Sequence, residues 1–476
     1  MTKKILILQL ARLGDIYQTW PILNALQRGG AEVHMLVRER YAEACLGLDP
    51  SIKVHKLFSK NILEPLFLEP NEAVEKSQAR LAENLQPLID ESYDEIINLS
   101  FSPLSSYLSY LLDPEGNSTK GYGRFLDGSF AIKDWPSAYF FSQVGIGSYN
   151  RLHLVDLLAM ISDVTLSDED FSSRPSAEKE IDILLHIGAS QPNKRLEPHF
   201  WSQVIQLLEA GRPSFKIGLI GSLGEKGIAE EVQVPLSFRV DNYVGQTSLP
   251  ELMDLIGKSK LVVGADSAPM HMATLTGTPC LNLSMSSVNF WETGPRSQGS
   301  RVLWRSQATD YSPREVSEEA LRMIDHLASE EAVVECVSAA AGYKILQWQQ
   351  NEIEWDLIKI FYFDKKADPY SGYEKVFSSL REINQLALEQ LHILSESPQQ
   401  ATAIKIYGQV EELLDSLGRL VPPMQVIVRW ISVQKIAIGP APVDVLVQSH
   451  KMIHEDLERY ISDLCPSQPL QGVMHD

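Results

Sequence analysis

Basic residues are scarce relative to acidic ones in this chain of 476 residues. Lys and Arg number 42 against 62 Asp and Glu, a formal charge of −20. That balance argues against a protein that works by neutralising a nucleic-acid backbone, and leaves room only for a local basic patch facing an anionic ligand. Cysteine is scarcer still. Cys45, Cys280, Cys336 and Cys465 stand far apart with no CxxC pair, so free thiols in a reducing compartment are expected rather than a disulfide framework. No apolar run reaches the roughly 18 residues of a membrane span. The opening "MTKKILILQLA" has a leader's lysines and apolar stretch. It ends at Arg12 with no clean small-residue cleavage site, which points to a buried first strand.

What remains is ordinary for a globular chain, with 44% hydrophobic and 22% charged residues, and the length calls for two or three domains. The first half alternates short apolar runs ("KILILQL", "AEVHMLV", "DEIINLS") with helical stretches, the pattern of βαβ units around a parallel sheet. A Gly-, Ser- and aromatic-rich segment over 101–150 reads as long, partly irregular connections. A polar linker, "SSRPSAEKE", precedes a second series: "IDILLHIGAS", "FKIGLIGS", "KLVVGAD" and "TPCLNLS". The expected class is α/β, with two Rossmann-like domains over 1–172 and 181–330. Beyond 340 the period turns helical. Phe377, Leu380, Ile383, Ala387, Leu391 and Leu394 share one face, as do Ile453, Leu457, Tyr460 and Leu464, so 340–476 reads as an α-helical module with Gly418 as a helix stop.

In such sheets ligands gather at the carboxyl ends of strands, where Asp15, His186, Ser222 and Asp266 fall. "KILILQLARLGDIYQTWPILNAL" breaks at Arg12, Gly14 and Asp15 just where a buried strand ends. These residues serve either as a strand-to-helix turn or as the mouth of a cleft. "LVVGADSAPMHMATLTGTPCLNL" leaves a strand at Asp266 and starts a helix near Pro269, whose free N–H groups and dipole suit an anion. Ser267 and His271 add donors there. A helix capped by Ser267 or Asp266 explains the same residues. "HIGASQPNKR" presents Lys194 and Arg195 beyond a strand, a pair suited to a diphosphate or to plain solvation. In "IGSLGEKGIAEEV", Glu225 is placed either to hold a ribose hydroxyl or to sit at a helix start.

Together, "RLGDIYQTWP", "HIGASQPNKR" and "DSAPMHMATLTGTP", with "GPRSQGSRVL" beyond them and the stretch from "GYGR" to "NRLHLVDLL", resemble glycosyltransferase family 9, the bacterial heptosyltransferase-like enzymes. The likeness covers about 1–330 in the right order. It implies a GT-B fold, two Rossmann-like halves facing a cleft, with the acceptor on the N-terminal half and the nucleotide-sugar on the other. It implies Asp15 as general base for an inverting transfer. It places Lys194, Asp266, Ser267, Ala268, Pro269, Met270, His271, Ser190 and Glu225 around the donor and its phosphates. No Asp-x-Asp motif lies near them, in keeping with a metal-independent transferase without a cofactor. Ala268 stands where many relatives have Gly.

Arg12, Lys120, Arg124, Arg151 and His153 are the expected acceptor-side residues, a basic pocket matching the family's anionic lipopolysaccharide-core acceptors. The implied donor is ADP-heptose and the implied location cytoplasmic, with transient contact at the inner membrane surface and no nucleic-acid partner. The helical module is left for oligomerisation or partner binding. Two further readings stand beside this one: a GT-B enzyme using another nucleotide-sugar or a protein acceptor, and a non-catalytic relative that binds a glycan.

Overall fold

The computed structural model describes residues 2–68, 72–145, 149–172, 178–189, 191, 194–236, 240–348, 353–366 and 372–464. Chain contacts divide it into two compact units. One holds residues 1–105, 118–120 and 151–350, and the other 106–117, 121–150 and 351–476.

The first unit contains two sheets. Strands β1 (Lys4–Leu8), β2 (Glu32–Arg38), β3 (Lys53–Leu57), β4 (Glu95–Asn98) and β5 (Thr119–Gly121) lie in the order β3-β2-β1-β4-β5. A short antiparallel hairpin follows in the chain, β6 (Gly123–Arg124) with β7 (Phe130–Ala131). The second sheet holds β8 (Ile181–His186), β9 (Ile217–Ile220), β10 (Asp241–Asn242), β11 (Ser259–Ala265), β12 (Cys280–Met285), β13 (Arg301–Arg305), β14 (Val334–Ser338) and β15 (Gly342–Ile345), ordered β10-β9-β8-β11-β12-β13-β14-β15. β8 to β13 pair in parallel, and β14 and β15 join antiparallel. The central strands are apolar throughout because helices cover both faces. Ile183, Leu185, Leu219, Leu261, Val263, Leu281 and Leu283 thus share one core with Trp201, Val204 and Leu208 of the helix Pro198–Gly211.

Each sheet reverses its strand order once, between β1 and β4 and between β8 and β11. Such a switch point opens a crevice at the carboxyl ends of its strands. The segments that leave β1, β8 and β11 carry Arg12–Asp15, Ala189–Arg195 and Asp266–His271. The topology therefore delivers the three motifs to crevices built in the same way.

The helical unit differs from the expected module over 340–476. Helices Ile353–Phe363, Glu374–Glu396, Ala401–Leu420, Gln425–Ile438 and Val443–Leu464 pack together with the helix Trp135–Gln143 and the β6–β7 hairpin. Tyr362 Oη lies 2.8 Å from Ser142 Oγ and accepts from Gln143 Nε2 at 2.8 Å, and Gly439 packs against the Phe125 ring. Segment 106–150 is thus apolar partner to the C-terminal helices, where the sequence suggested a connection within 1–172. The second sheet likewise runs past 330, to Ile345. Of the predicted stripes, Phe377, Leu380, Ala387, Leu391, Leu394, Ile453, Leu457 and Leu464 are buried, while Ile383 and Tyr460 are half-buried. Gly418 is not a stop, since its helix continues to Leu420. Most of the polar linker lies outside the described residues.

Candidate active site

A cavity of about 790 Å³ lies between the two α/β halves. From the first half it is lined by Arg12, Gly14, Asp15 and Gln18, and from the second by His186, Lys194, Glu225, Asp266–Pro269, His271 and Thr293, among others.

Asp15 sits in the first turn of a helix rather than in a loop. The helix begins at Leu13, and the Asp15 carboxylate accepts from the Arg12 backbone N–H at 2.9 Å. An acid at this position completes the helix start and also faces the cavity, so the turn and the cleft mouth are the same structure. Burial pushes its carboxyl above the usual aspartate range, against the Arg12 N–H, and Asp266 pushes the same way. Gly14 stands at the seam between the two halves. A side chain there would meet the His271 ring at 3.0 Å, so the glycine lets the two halves close on each other. The Gln18 amide nitrogen lies 3.2 Å from both ring nitrogens of His271. Burial lowers His271 to about 4, so it is a neutral donor or acceptor and not a cation.

On the second half, helix Ala268–Leu275 starts without a side-chain cap. Ser267 Oγ instead donates to the Ala265 carbonyl and lies 3.0 Å from His186 Nδ1. Asp266 turns away to accept from Thr293 Oγ1 at 2.9 Å, with Lys194 Nζ 3.9 Å from its other oxygen. Burial raises the Asp266 carboxyl, while Lys194 and Thr293 oppose the rise. Neither of the two side chains that a capped helix would use is therefore spent on capping. The first-turn N–H groups keep their partial positive charge beside Lys194, an arrangement suited to an anion.

Glu225 lines the cavity as a capping acid, accepting from Ser222 N–H at 2.6 Å and Ser222 Oγ at 3.0 Å. Its carboxylate folds over Gly188, where any side chain would collide with it. His186, which ends β8, is held down to about 4 by burial. Met270 does not face the cavity; it is fully buried, its methyl near Gly264. Ser190 lies outside the described residues.

The basic acceptor pocket does not assemble. Lys120 pairs with Glu95 and with Asp163. Arg124 belongs to the helical unit, stacked between Tyr107 at 3.8 Å and Phe130 at 4.5 Å. Arg151 lies over the Trp291 ring. His153 is buried and neutral, donating from Nε2 to the Gly294 carbonyl at 2.9 Å while Nδ1 accepts from Val155 N–H. Proximity in the chain suggested a pocket, but each of these residues satisfies a local charge, ring or carbonyl. Of the acceptor-side set only Arg12 lines the cavity. Sequence reasoning missed Gln18, Thr293, Tyr41, Glu43 and Thr247–Leu249. Gln18 carried a signal, lying one helical turn beyond Asp15 on the same face.

Among the described residues one group has metal-ligand spacing: Glu32, His34 and Glu91. It sits at the amino ends of the strands, away from the cavity, where Lys53 and Lys4 already pair with the two carboxylates. Cys45, Cys280 and Cys336 are free and buried. Among the described residues no helix is long and apolar enough to cross a membrane.

Two Rossmann-like halves with a ligand-sized cavity between them define the GT-B class. Residues 158–319 match the model of glycosyltransferase family 9 (heptosyltransferase), and the chain is similar to that family, as its motifs suggested. Lipopolysaccharide heptosyltransferase 1 of Campylobacter coli is 25% identical over 304 residues, spanning 59% of this chain and 83% of that protein. E. coli heptosyltransferase WaaC, solved with ADP, superposes with a TM-score of 0.52 at 16% identity, covering 67% of this chain and 99% of its own. A glycosyltransferase family 9 protein from Veillonella parvula gives 0.51 at 17% identity, covering 68% and 97%.

Proposed function

We propose that this protein is an inverting, metal-independent glycosyltransferase that moves a sugar from a nucleotide diphosphate donor, ADP-heptose by family likeness, onto a lipopolysaccharide-core glycan. The observation that carries the reading is the pairing of unlike groups across one cavity. A carboxylate with a raised pKa comes from one half, and an uncapped helix start with a lysine beside it comes from the other.

In this reading Asp15 takes the proton from an acceptor hydroxyl as its oxygen attacks the anomeric carbon. Burial raises the Asp15 carboxyl above the usual aspartate range, which makes it a stronger base than a solvated carboxylate. The diphosphate departs from the opposite face, so configuration inverts. Charge growing on its oxygens meets the Lys194 ammonium and the N–H groups at the start of helix Ala268–Leu275, donors fixed before the reaction begins. Asp266, held by Thr293 and Lys194, is placed to orient donor hydroxyls. Glu225 is placed to take a ribose hydroxyl with the carboxylate oxygen that does not cap Ser222. The protein works from the cytoplasmic side and touches the inner membrane surface only in passing, where its lipid-linked acceptor lies. Failure to sediment with anionic vesicles at low salt would count against that last point.

Thermal unfolding with ADP, UDP, GDP and CMP tests the donor side. A nucleotide at 100 times its dissociation constant adds about 2.7 kcal/mol of stability. Stabilisation by ADP that weakens about tenfold or more in affinity in Lys194→Ala is expected, since a charge-assisted contact is lost. A response to UDP alone moves the donor, and no response to any nucleotide removes the proposal.

A further inference from the structure

The two α/β halves of the first unit meet through contacts of two kinds. Behind His271, away from the main cavity, the contacts are multiple and centre on a buried arginine. Arg296, 2% exposed, forks onto Asp156 at 2.8 and 3.3 Å and donates to the Ala339 carbonyl. His153 donates to the Gly294 carbonyl, and Asp168 accepts from Ala340 N–H at 2.7 Å. On the cavity wall Gln18 meets His271 in a buried contact, and a second contact there is lighter. Exposed Glu43 accepts from the Leu249 backbone N–H at 3.0 Å, across 206 positions of chain.

Leu249 opens the helix Leu249–Gly257, whose other first-turn needs are met locally. Ser248 and Glu251 satisfy each other in a reciprocal box, and Pro250 has no N–H. The remaining N–H is taken by an acid from the other half, where water would have served. The 3-10 turn Glu39–Cys45 that carries Glu43 packs against this helix, and it brings Tyr41 to the cavity as well. Arg40 covers one face of the Tyr41 ring at 4.5 Å. A solvent-exposed charged contact of this kind is weak and reversible, whereas the Arg296 cluster cannot open without stranding a buried charge.

We infer that Glu43 is a positioning residue that latches the two halves over the nucleotide end of the donor, with the Arg296–Asp156 cluster as the hinge. Exchange of a nucleoside diphosphate begins by release of the Glu43–Leu249 bond. The inference rests on the reading that this cavity takes a nucleotide-sugar, and the test separates the two.

Hydrogen exchange of the Leu249 amide in the full chain reads the latch directly. In Glu43→Ala it is expected to quicken at least tenfold, with Met253–Ile256 unchanged and Glu43→Gln close to wild type because its amide oxygen still accepts. Saturating ADP should slow exchange at Leu249 in wild type and much less in Glu43→Ala. The ADP dissociation rate, followed by stopped flow, should rise three- to tenfold in Glu43→Ala and stay near the wild-type rate in Glu43→Gln. Unchanged Leu249 exchange in Glu43→Ala overturns the latch whether or not ADP binds. So does an unchanged dissociation rate where ADP does bind. Absence of ADP protection in wild type, despite normal Leu249 exchange effects, overturns the nucleotide role and counts against the proposed donor site.

Discussion

Two buried histidines, one in each unit, show how differently this protein treats the same problem. In the helical unit His454 is fully buried and held to about 3. Its Nδ1 donates to Asn384 Oδ1 at 2.7 Å, the Asn384 amide donates back to the His454 carbonyl at 2.9 Å, and Nε2 lies 3.2 Å from Tyr407 Oη. In the α/β unit His271 is held to about 4 by the same desolvation, yet its partner Gln18 leaves its amide oxygen buried with no partner. Around His454 the neighbouring acid, Glu458, pairs with Arg381 at 3.1 Å. Around His271 the neighbouring acids, Asp15 and Asp266, are pushed toward their protonated forms. Closed polar networks fix a single packing, while polar groups left open are those a ligand completes.

Asp15→Asn should break this contrast most strongly. The amide still accepts from Arg12 N–H but takes no proton, so turnover should fall by about 10³-fold or more. Stability should move the other way. Folding raises the pKa of Asp15, so ionised Asp15 costs stability above that pKa. The amide of Asp15→Asn removes the cost at pH 7–8, and the advantage fades as pH falls below the ordinary aspartate range, where both folded and unfolded Asp15 are protonated. The matching change in the helical unit, Glu458→Gln, removes the charge that pairs with Arg381 and should lower stability at pH 7. Turnover and urea unfolding of both variants check the pair. A stability loss in Asp15→Asn at pH 8 would contradict it.

Acid should act on both regions at once. His186 and His271 are held at about 4 and His454 at about 3, all below the usual histidine value. Lowered folded values mean the unfolded chain binds more protons from about pH 6.5 downward. Stability is therefore complete above that pH and drains as pH falls toward 4, each histidine contributing on the order of 3 kcal/mol by the end. Urea midpoints between pH 7 and 4.5 measure the slope, and a flat profile would mean these rings are not buried neutral. His454→Gln should flatten the slope of the helical unit alone, followed by Trp430 fluorescence in a variant lacking the other tryptophans.

Much of this was legible in the sequence because it depends on local pattern. Apolar runs of strand length spaced by helical stretches specified two parallel sheets, and strand ends marked Asp15, His186, Ser222 and Asp266 as residues facing a crevice. What failed depended on long-range partners. Lys120, Arg124 and Arg151 were grouped by proximity in the chain, but Glu95, Tyr107 and Trp291 claim them from elsewhere. Segment 106–150 read as a connection because its aromatics lack a period. Their apolar partners lie more than 200 residues on, as Tyr362 does for Tyr139. Glu43 was invisible for the same reason, since an acid on a short turn announces nothing until Leu249 stands opposite.

The smallest expected effect is also the sharpest test of the open and closed networks. Asn384→Leu strands the His454 Nδ1–H and its carbonyl in a dry interface, a loss of about 2 kcal/mol in the helical unit. Gln18→Leu removes one donor from His271 but also removes an oxygen that had no partner, so the two changes largely cancel and stability should move by less than about 1 kcal/mol. Function should divide them in the reverse sense. With its ring no longer held beside Gly14, His271 is free to shift against the helix start proposed to hold the phosphates, and ADP affinity should fall several-fold in Gln18→Leu while Asn384→Leu leaves it alone. Equal stability losses in both variants would show that Gln18 is as fully used as Asn384 and that the cleft is as closed a network as the helices.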